Sequence, residues 1–416
     1  MSIEALREEF AQTRARSIAD CASLELEDYT LQAAVFASPP KWHLAHTTWF
    51  FETFLLKPFV SDYRTPNEQY EVLFNSYYNG IGEQHPRDRR GLLSRPGLAA
   101  VLDYRRHVDE AMEQLLASDL AAENPAIGER CLLGIEHERQ HQELFFTDIK
   151  YSLAANPLYP ALSAGVPERS SVSPLDWLTF DPGLVEMGHG GQGFSFDNEH
   201  PRHAVFVQPF EIANRLVTNG EYQAFIDDGG YQRPELWLAD GWATVQEQAW
   251  KAPLHWVERG VGSEGEDEPL EFTLHGLIPR DPDAPVCHVS GYEADAFARW
   301  SGARLPTEAE WEWMCEQTGE ASSGRDTEGL LHPRSSADGR GCFGACWQWT
   351  QSAYGPYPGF RASDGAIGEY NGKFMSNQWV LRGGSCVTWS SQARATYRNF
   401  FYPQDRWQFS GIRLAR

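Results

Sequence analysis

The chain has 416 residues, with 35 Lys and Arg against 58 Asp and Glu, for a formal net charge of −23 with histidine neutral. That length exceeds what one core usually organises, so two domains are expected, and 42% apolar residues supply enough material to build them. An acidic chain repels phosphate backbones and anionic lipid, which argues against nucleic acid and membrane surfaces as partners.

No run of about 18 apolar residues is present, so no membrane span is expected. Met1 to Phe10 is charged and periodic rather than basic and then apolar, unlike a secretory signal. Seven Cys without framework spacing suit a compartment where thiols stay reduced, and a cytoplasmic location is expected. Cys342 and Cys346 lie four apart without a second Cys or His pair, and read as two partly buried thiols.

The first ~155 residues read as helices. Ser2 caps a helix carrying Leu6, Phe10 and Ile18, and Pro39-Pro40 breaks the chain before an amphipathic run from Trp42 to Leu56. A Gly/Pro/Asn-rich stretch from Asn67 to Pro96 reads as a long functional loop. Helical pattern returns from Leu98 to Leu116 and from Gly128 to Leu153, which predicts a four-helix bundle over 1–155.

Residues 156–175, rich in Pro, Ser, Ala and Gly, read as a linker. Over 176–416 the texture changes to short strands such as His203–Val207, many Gly and Trp, and two helices near Asn219–Ile226 and Tyr292–Ser301. A further helix start is signalled at Thr307, where Glu310 completes a capping box.

The sharpest chemical feature is His137-Glu138-Arg139-Gln140-His141. Residues four apart share a helix face, so both imidazoles can reach one ion. The run also matches H-E-x-x-H, in which the Glu would be a zinc protease base, but the downstream third-ligand extension is missing, with Leu144 and Thr147 in its place. A third ligand lies upstream in Trp42-His43-Leu44-Ala45-His46, where both histidines can face inward from another helix. Three imidazoles that leave coordination positions open suit Fe(II), with zinc and nickel as alternatives on ligand type alone. A hydrogen-bonded or solvent-facing histidine pair is the non-metal alternative. His85 and His107 read as loop or surface residues.

Pro40-x-Trp42-x-Leu44-Ala45-His46 together with His137-Glu138-x-Gln140-His141-x-Glu143 resembles the DinB-type bundle of the EgtB non-haem iron sulfoxide synthases of ergothioneine biosynthesis. The second half resembles their C-terminal domain, which has the formylglycine-generating-enzyme and C-type-lectin-like fold. Its matching stretches include Val217-Thr218-Asn219-x-Glu221-Tyr222, Arg304-Leu305-Pro306-Thr307-Glu308-Ala309-Glu310-Trp311-Glu312, Arg382-Gly383-Gly384-Ser385 and Gly411-x-Arg413.

The resemblance implies an α plus mixed α/β chain. It also implies an Fe(II)- and dioxygen-dependent oxidoreductase that joins a thiol to C2 of the imidazole of hercynine (N-α-trimethylhistidine) and leaves a sulfoxide. His46, His137 and His141 map onto the iron ligands, Gln140 onto a residue that bonds the hercynine imidazole, and Asn399 onto one that helps hold hercynine. Phe400 stands where many relatives carry Trp. A trimethylammonium group is best met by ring faces, and the second half offers Phe400, Phe401, Tyr402, Trp407, Trp347, Trp349 and Trp379.

Members that use γ-glutamylcysteine carry an Asp where this chain has Phe401 and an Arg where it has Asp405. This variant therefore resembles the branch that takes free cysteine. Tyr77 and Tyr78 resemble that branch's tyrosine pair and are candidate proton donors. Arg87 and Arg90 are candidates to meet a donor carboxylate. The architecture also resembles selenoneine synthases, which join hercynine to a selenosugar, a donor whose hydroxyls Asp405 could bond. A zinc-dependent DinB-type thiol transferase is a third reading. A copper-dependent formylglycine-generating enzyme is disfavoured because no second Cys follows Cys386.

Overall fold

The computed structural model describes residues 2–257, 269–320, 323–325, 331–335 and 341–416. It divides into two compact units, residues 1–158 with 364–370, and residues 159–363 with 371–416. No helix among the described residues is long and apolar enough to cross a membrane.

The first unit is built on four long helices: α1 (Ile3–Asp20), α2 (Pro40–Phe51), α3 (Leu98–Leu116) and α4 (Pro125–Ala154). Their starts are chemically marked. Ser2 Oγ accepts the Ala5 N–H at 3.2 Å, Pro40 begins α2 where its missing N–H costs nothing, and Asn124 caps α4 ahead of Pro125. α1 and α2 each pack against both α3 and α4.

The run from Trp42 to Leu56 is not amphipathic. Every residue from Pro40 to Leu56 is buried, because α2 is covered by α3, α4 and the short helix Tyr70–Phe74. The two charges on this segment are met internally. Lys41 Nζ donates to the Leu93 carbonyl at 2.6 Å, and the Glu52 carboxylate accepts the phenols of Tyr63 and Tyr104, each at 2.6 Å. A π-helical turn, Glu52–Leu56, follows α2.

Glu138 lies at the centre of the bundle's main ion cluster. Arg14 Nη1 donates to its Oε2 at 2.8 Å, Arg105 Nη2 to its Oε1 at 2.5 Å, and Ser17 Oγ to its Oε1 at 2.5 Å. Burial pushes this carboxyl's pKa up, but the two guanidinium groups outweigh that and hold it down at about 2.

The second unit holds α5 (Asn219–Asp227), α6 (Ala239–Gln248), α7 (Gly291–Trp300) and α8 (Glu308–Thr318) among short strands. Capping boxes at Thr218, Ser290 and Thr307 start α5, α7 and α8. β1 (Trp177–Phe180) pairs with β4 (Phe210–Ala213), and β2 (Gly183–Met187) with β3 (His203–Val207). β5 (Trp256–Val257), β6 (Leu270–Thr273) and β7 (Gly276–Pro279) form an antiparallel sheet. A four-stranded sheet runs in the order β10 (Asn399–Phe401), β9 (Trp379–Arg382), β8 (Trp347–Ala353) and β11 (Ser410–Gly411). The core beside α8 joins Trp311, Met314 and Cys315 to Val185, Val207, Phe210 and Ile212. Gly383, at φ +98°, has no room for a side chain, since a Cβ there would lie 2.4 Å from the Cys342 carbonyl oxygen.

Replacing Glu138 by Ala should lower the unfolding free energy by about 3–5 kcal/mol, because Arg14 and Arg105 would stay buried without their shared carboxylate. Urea denaturation checks this, and a wild-type midpoint would show that the cluster is not supporting the bundle.

Candidate metal centre

His46 leaves α2, and His137 and His141 leave α4 one turn apart. The structure brings the three imidazoles together, with candidate ligand nitrogens within 4.8 Å of one another. The His46 ring is clamped in a stack. Trp42 lies 4.5 Å away at an interplanar angle of 10°, and Trp49 lies on the other side at 5.6 Å and 15°. Arg90 extends the stack, with its Cζ 3.4 Å from the Trp42 ring centroid. Phe50 packs on His137 at 4.6 Å.

The hydrogen bonds leave particular lone pairs open. His46 Nδ1 donates to the Phe74 carbonyl at 2.6 Å, so Nε2 carries the lone pair, and Nε2 has no hydrogen-bond partner. His137 has a partner at neither ring nitrogen. His141 Nδ1 lies 2.9 Å from His43 Nδ1, which leaves its Nε2 edge for the cluster. Unsatisfied buried imidazole nitrogens, as on His46 and His137, are costly alone, and three imidazoles converging is the donor set that a divalent metal ion fits. Among the described residues, no other group of three or more His, Cys, Asp or Glu side chains gathers in this way.

Burial lowers the pKa of all three imidazoles: His46 and His141 fall well below the ordinary value, and His137 is pushed down to about 3. They therefore stay neutral and able to ligate at physiological pH. A crevice of about 270 Å³ runs beside the site along His43, His141, Leu44, Thr47 and Phe145.

Gln140, next to His141, accepts a hydrogen bond from the Tyr370 hydroxyl, and the Tyr370 ring stands edge-on to His137 at 5.6 Å. Neither Tyr370 nor its neighbour Glu369 was signalled by the sequence pattern. Both belong to the short segment 364–370 that clusters with the helical unit. The Glu369 carboxylate accepts the N–H groups of Asn79 at 3.0 Å and Gly80 at 2.7 Å, so it ties down the loop that carries Tyr77 and Tyr78. A Cβ at Gly80 would meet that carboxylate at 2.9 Å.

Tyr78 is fully buried among Trp49, Phe54 and Tyr77, with ring centroids at 5.6, 5.2 and 4.6 Å, while Tyr77 is half-buried. Burial, then Tyr77 and Tyr370, raise the Tyr78 phenol well above its usual pKa. Arg87 is exposed and donates to the Phe36 carbonyl. Arg90 is buried and donates to Ser38 Oγ at 2.9 Å and Ser76 Oγ at 3.2 Å. His85 and His107 bond backbone carbonyls at the surface.

Asn399, Phe400 and Phe401 form β10 of the second unit. Asn399 Oδ1 accepts the Phe400 N–H at 2.9 Å, and Phe400 stacks on Tyr354 at 4.0 Å and 9°. Phe401 stands edge-on to Trp407 at 5.4 Å. Asp405 Oδ2 accepts the Tyr402 N–H at 3.0 Å and so closes a turn.

Two outcomes check the centre. The wild type should bind one divalent metal per chain, and His137→Ala should bind none, as read by metal analysis after desalting. Metal-free protein should lose stability as pH falls from about 6.5, where unfolded imidazoles take up protons. The folded His137 resists protonation until about pH 3. Melting temperatures measured with and without metal across that window test the sign.

The DinB superfamily matches residues 9–145, and the sulfatase-modifying factor enzyme 1-like domain matches residues 163–329. The expected order of a DinB-like helical domain and a formylglycine-generating-enzyme type domain is thus met. The chain is 30% identical to the hercynine oxygenase of Mycolicibacterium smegmatis, an alignment covering 99% of this chain and 98% of that one. It is 32% identical to the hercynine oxygenase of Mycobacterium tuberculosis, over 100% of this chain and 99% of that one. Ergothioneine biosynthesis protein 1 of Schizosaccharomyces pombe is 27% identical over 54% of this chain and 28% of its own. With that length and identity shared, the chain belongs to the hercynine oxygenase family, and it is an oxidoreductase.

Proposed function

We propose that this enzyme joins C2 of the hercynine imidazole to the sulfur of a thiol donor, free cysteine, in a dioxygen-dependent step of ergothioneine biosynthesis that yields a hercynyl sulfoxide. The observation that carries this reading is the convergence of the His46, His137 and His141 imidazoles, with nitrogens of His46 and His137 left unsatisfied, in a chain of the hercynine oxygenase family. Those three residues would hold Fe(II), which when bound supplies one-electron redox chemistry and open positions for small ligands.

The protein's own groups then have separable tasks. Tyr370, by donating to Gln140 Oε1, orients that amide so that its NH₂ can donate to an imidazole lone pair of the substrate. Tyr78, whose ionised form is disfavoured by burial, carries its proton at neutral pH and is the candidate proton donor, with Tyr77 stacked beside it. Asn399 and the rings of Phe400 and Phe401 are our candidates for the rest of hercynine, whose trimethylammonium group offers no N–H and is best met by ring faces. Arg87 is the candidate for a donor carboxylate. Arg90 is already committed to Trp42, Ser38 and Ser76.

Iron-loaded protein should be incubated with hercynine and dioxygen, with cysteine, γ-glutamylcysteine or a selenosugar added separately, and the adducts identified by mass. A sulfoxide adduct formed with cysteine is expected. An adduct formed only with the selenosugar would instead make this a C–Se bond-forming enzyme, and no adduct with any donor would sink the proposed reaction. Tyr78→Phe should slow sulfoxide formation and divert the thiol toward simple oxidation. An unchanged rate and product ratio would remove Tyr78 from the proton-donor role.

A further inference from the structure

Two more buried polar side chains of the helical unit are joined in series to one of the three candidate ligands. His43, one turn before His46 on α2, lies with its Nδ1 2.9 Å from His141 Nδ1 and its Nε2 3.1 Å from Asp148 Oδ2. Asp148 sits two turns beyond His141 on α4. The same oxygen accepts the Ser38 N–H at 2.8 Å, just ahead of the α2 N-terminus.

We propose that Asp148 and His43 form a positioning relay that fixes His141 as the Nδ1–H tautomer and so aims its Nε2 lone pair at the metal. The inference rests on the metal-site reading above and extends it to two residues outside the three candidate ligands.

The proton count forces the assignment. An ionised carboxylate only accepts, so the proton between Asp148 and His43 belongs to His43 Nε2. With the His43 proton on Nε2, its Nδ1 offers a lone pair, and the proton between the two rings belongs to His141 Nδ1. His141 Nε2 is left unprotonated, as a ligand must be. If the chain of donors ran the other way, a proton would sit on His141 Nε2 and point into the cluster. His46 gains the same result from the Phe74 carbonyl. The relay therefore gives His141 what a backbone group gives His46, and a carboxylate at its far end adds basicity to the ligand. A merely structural role, satisfying a buried His43, would affect folding and leave metal affinity untouched.

Co(II) binding by metal-free full-length protein, measured in competition with a chelator, separates the two. Leu in place of His43 cannot accept from His141, whereas Gln can accept with its oxygen and donate to Asp148 with its NH₂. His43→Leu should weaken Co(II) binding about 10- to 100-fold and shift the cobalt visible spectrum, and His43→Gln should retain binding to within about threefold. Wild-type affinity and spectrum in His43→Leu, or equal losses in the two variants, would overturn the relay. If His43→Leu does not fold, histidine-selective ¹⁵N spectra of the metal-free wild type read the tautomer directly. A proton on His141 Nδ1 supports the relay and one on Nε2 overturns it. None of these readouts involves turnover, so absence of hercynine-derived product in the wild type would count against the proposed reaction alone.

Discussion

Three neutral imidazoles that converge on one space, with nitrogens of His46 and His137 left unsatisfied by the protein, constrain everything around them. Each unpaired buried nitrogen costs roughly 1–3 kcal/mol, and protonation, the usual escape, is closed because burial lowers all three pKa values. The surrounding groups do not relieve that cost. They direct it: Phe74 takes the far nitrogen of His46 and His43 that of His141, while the Trp42 and Trp49 rings fix the plane of His46. A site arranged only for packing would have spent its donors on the inner nitrogens.

The opposite treatment of Glu138 shows how closely chemistry and support lie on one helix. Glu138 is one residue from His137, about 100° around α4, and faces Arg14 and Arg105 rather than the imidazoles. Held down at about 2, its carboxyl is a poor general base at neutral pH, where catalysis favours a group titrating near the working pH. The H-E-x-x-H spacing therefore carries no protease chemistry here. Its two histidines line the candidate metal centre and its Glu joins the bundle's internal charge balance.

Much of this was legible in the sequence because it is local. The four-residue spacing of His137 and His141 needs only a helix to become a shared face, and the capping box at Thr307 is a three-residue signal. The choice of His46 rather than His43 as the third ligand came from a resemblance rather than from spacing. What stayed hidden depends on distant partners. The burial of α2 on all sides follows from what covers it, and its charged Lys41 and Glu52 misled the pattern toward an exposed face. Tyr370 meets Gln140 across 230 residues of chain, and no periodicity marks that contact. Arg90 read as a candidate to meet a donor carboxylate, yet it is buried against Trp42.

The segment 364–370 also divides the site by rigidity. Tyr370 and Glu369 are adjacent, one bonded to Gln140 on α4 and the other to the backbone of the tyrosine loop. The Glu369 bonds are exposed to water, which competes for the same N–H groups, so each is worth little alone. The imidazoles, by contrast, leave helices of 12 and 30 residues. Exposed hydrogen bonds such as those at Asn79 and Gly80 are where local opening is easiest. Motion there would carry Tyr77, which is half-buried, before Tyr78, whose ring is walled in by Trp49 and Phe54. The candidate proton donor Tyr78 is thus packed more tightly than Tyr77, its ring held against both Trp49 and Phe54.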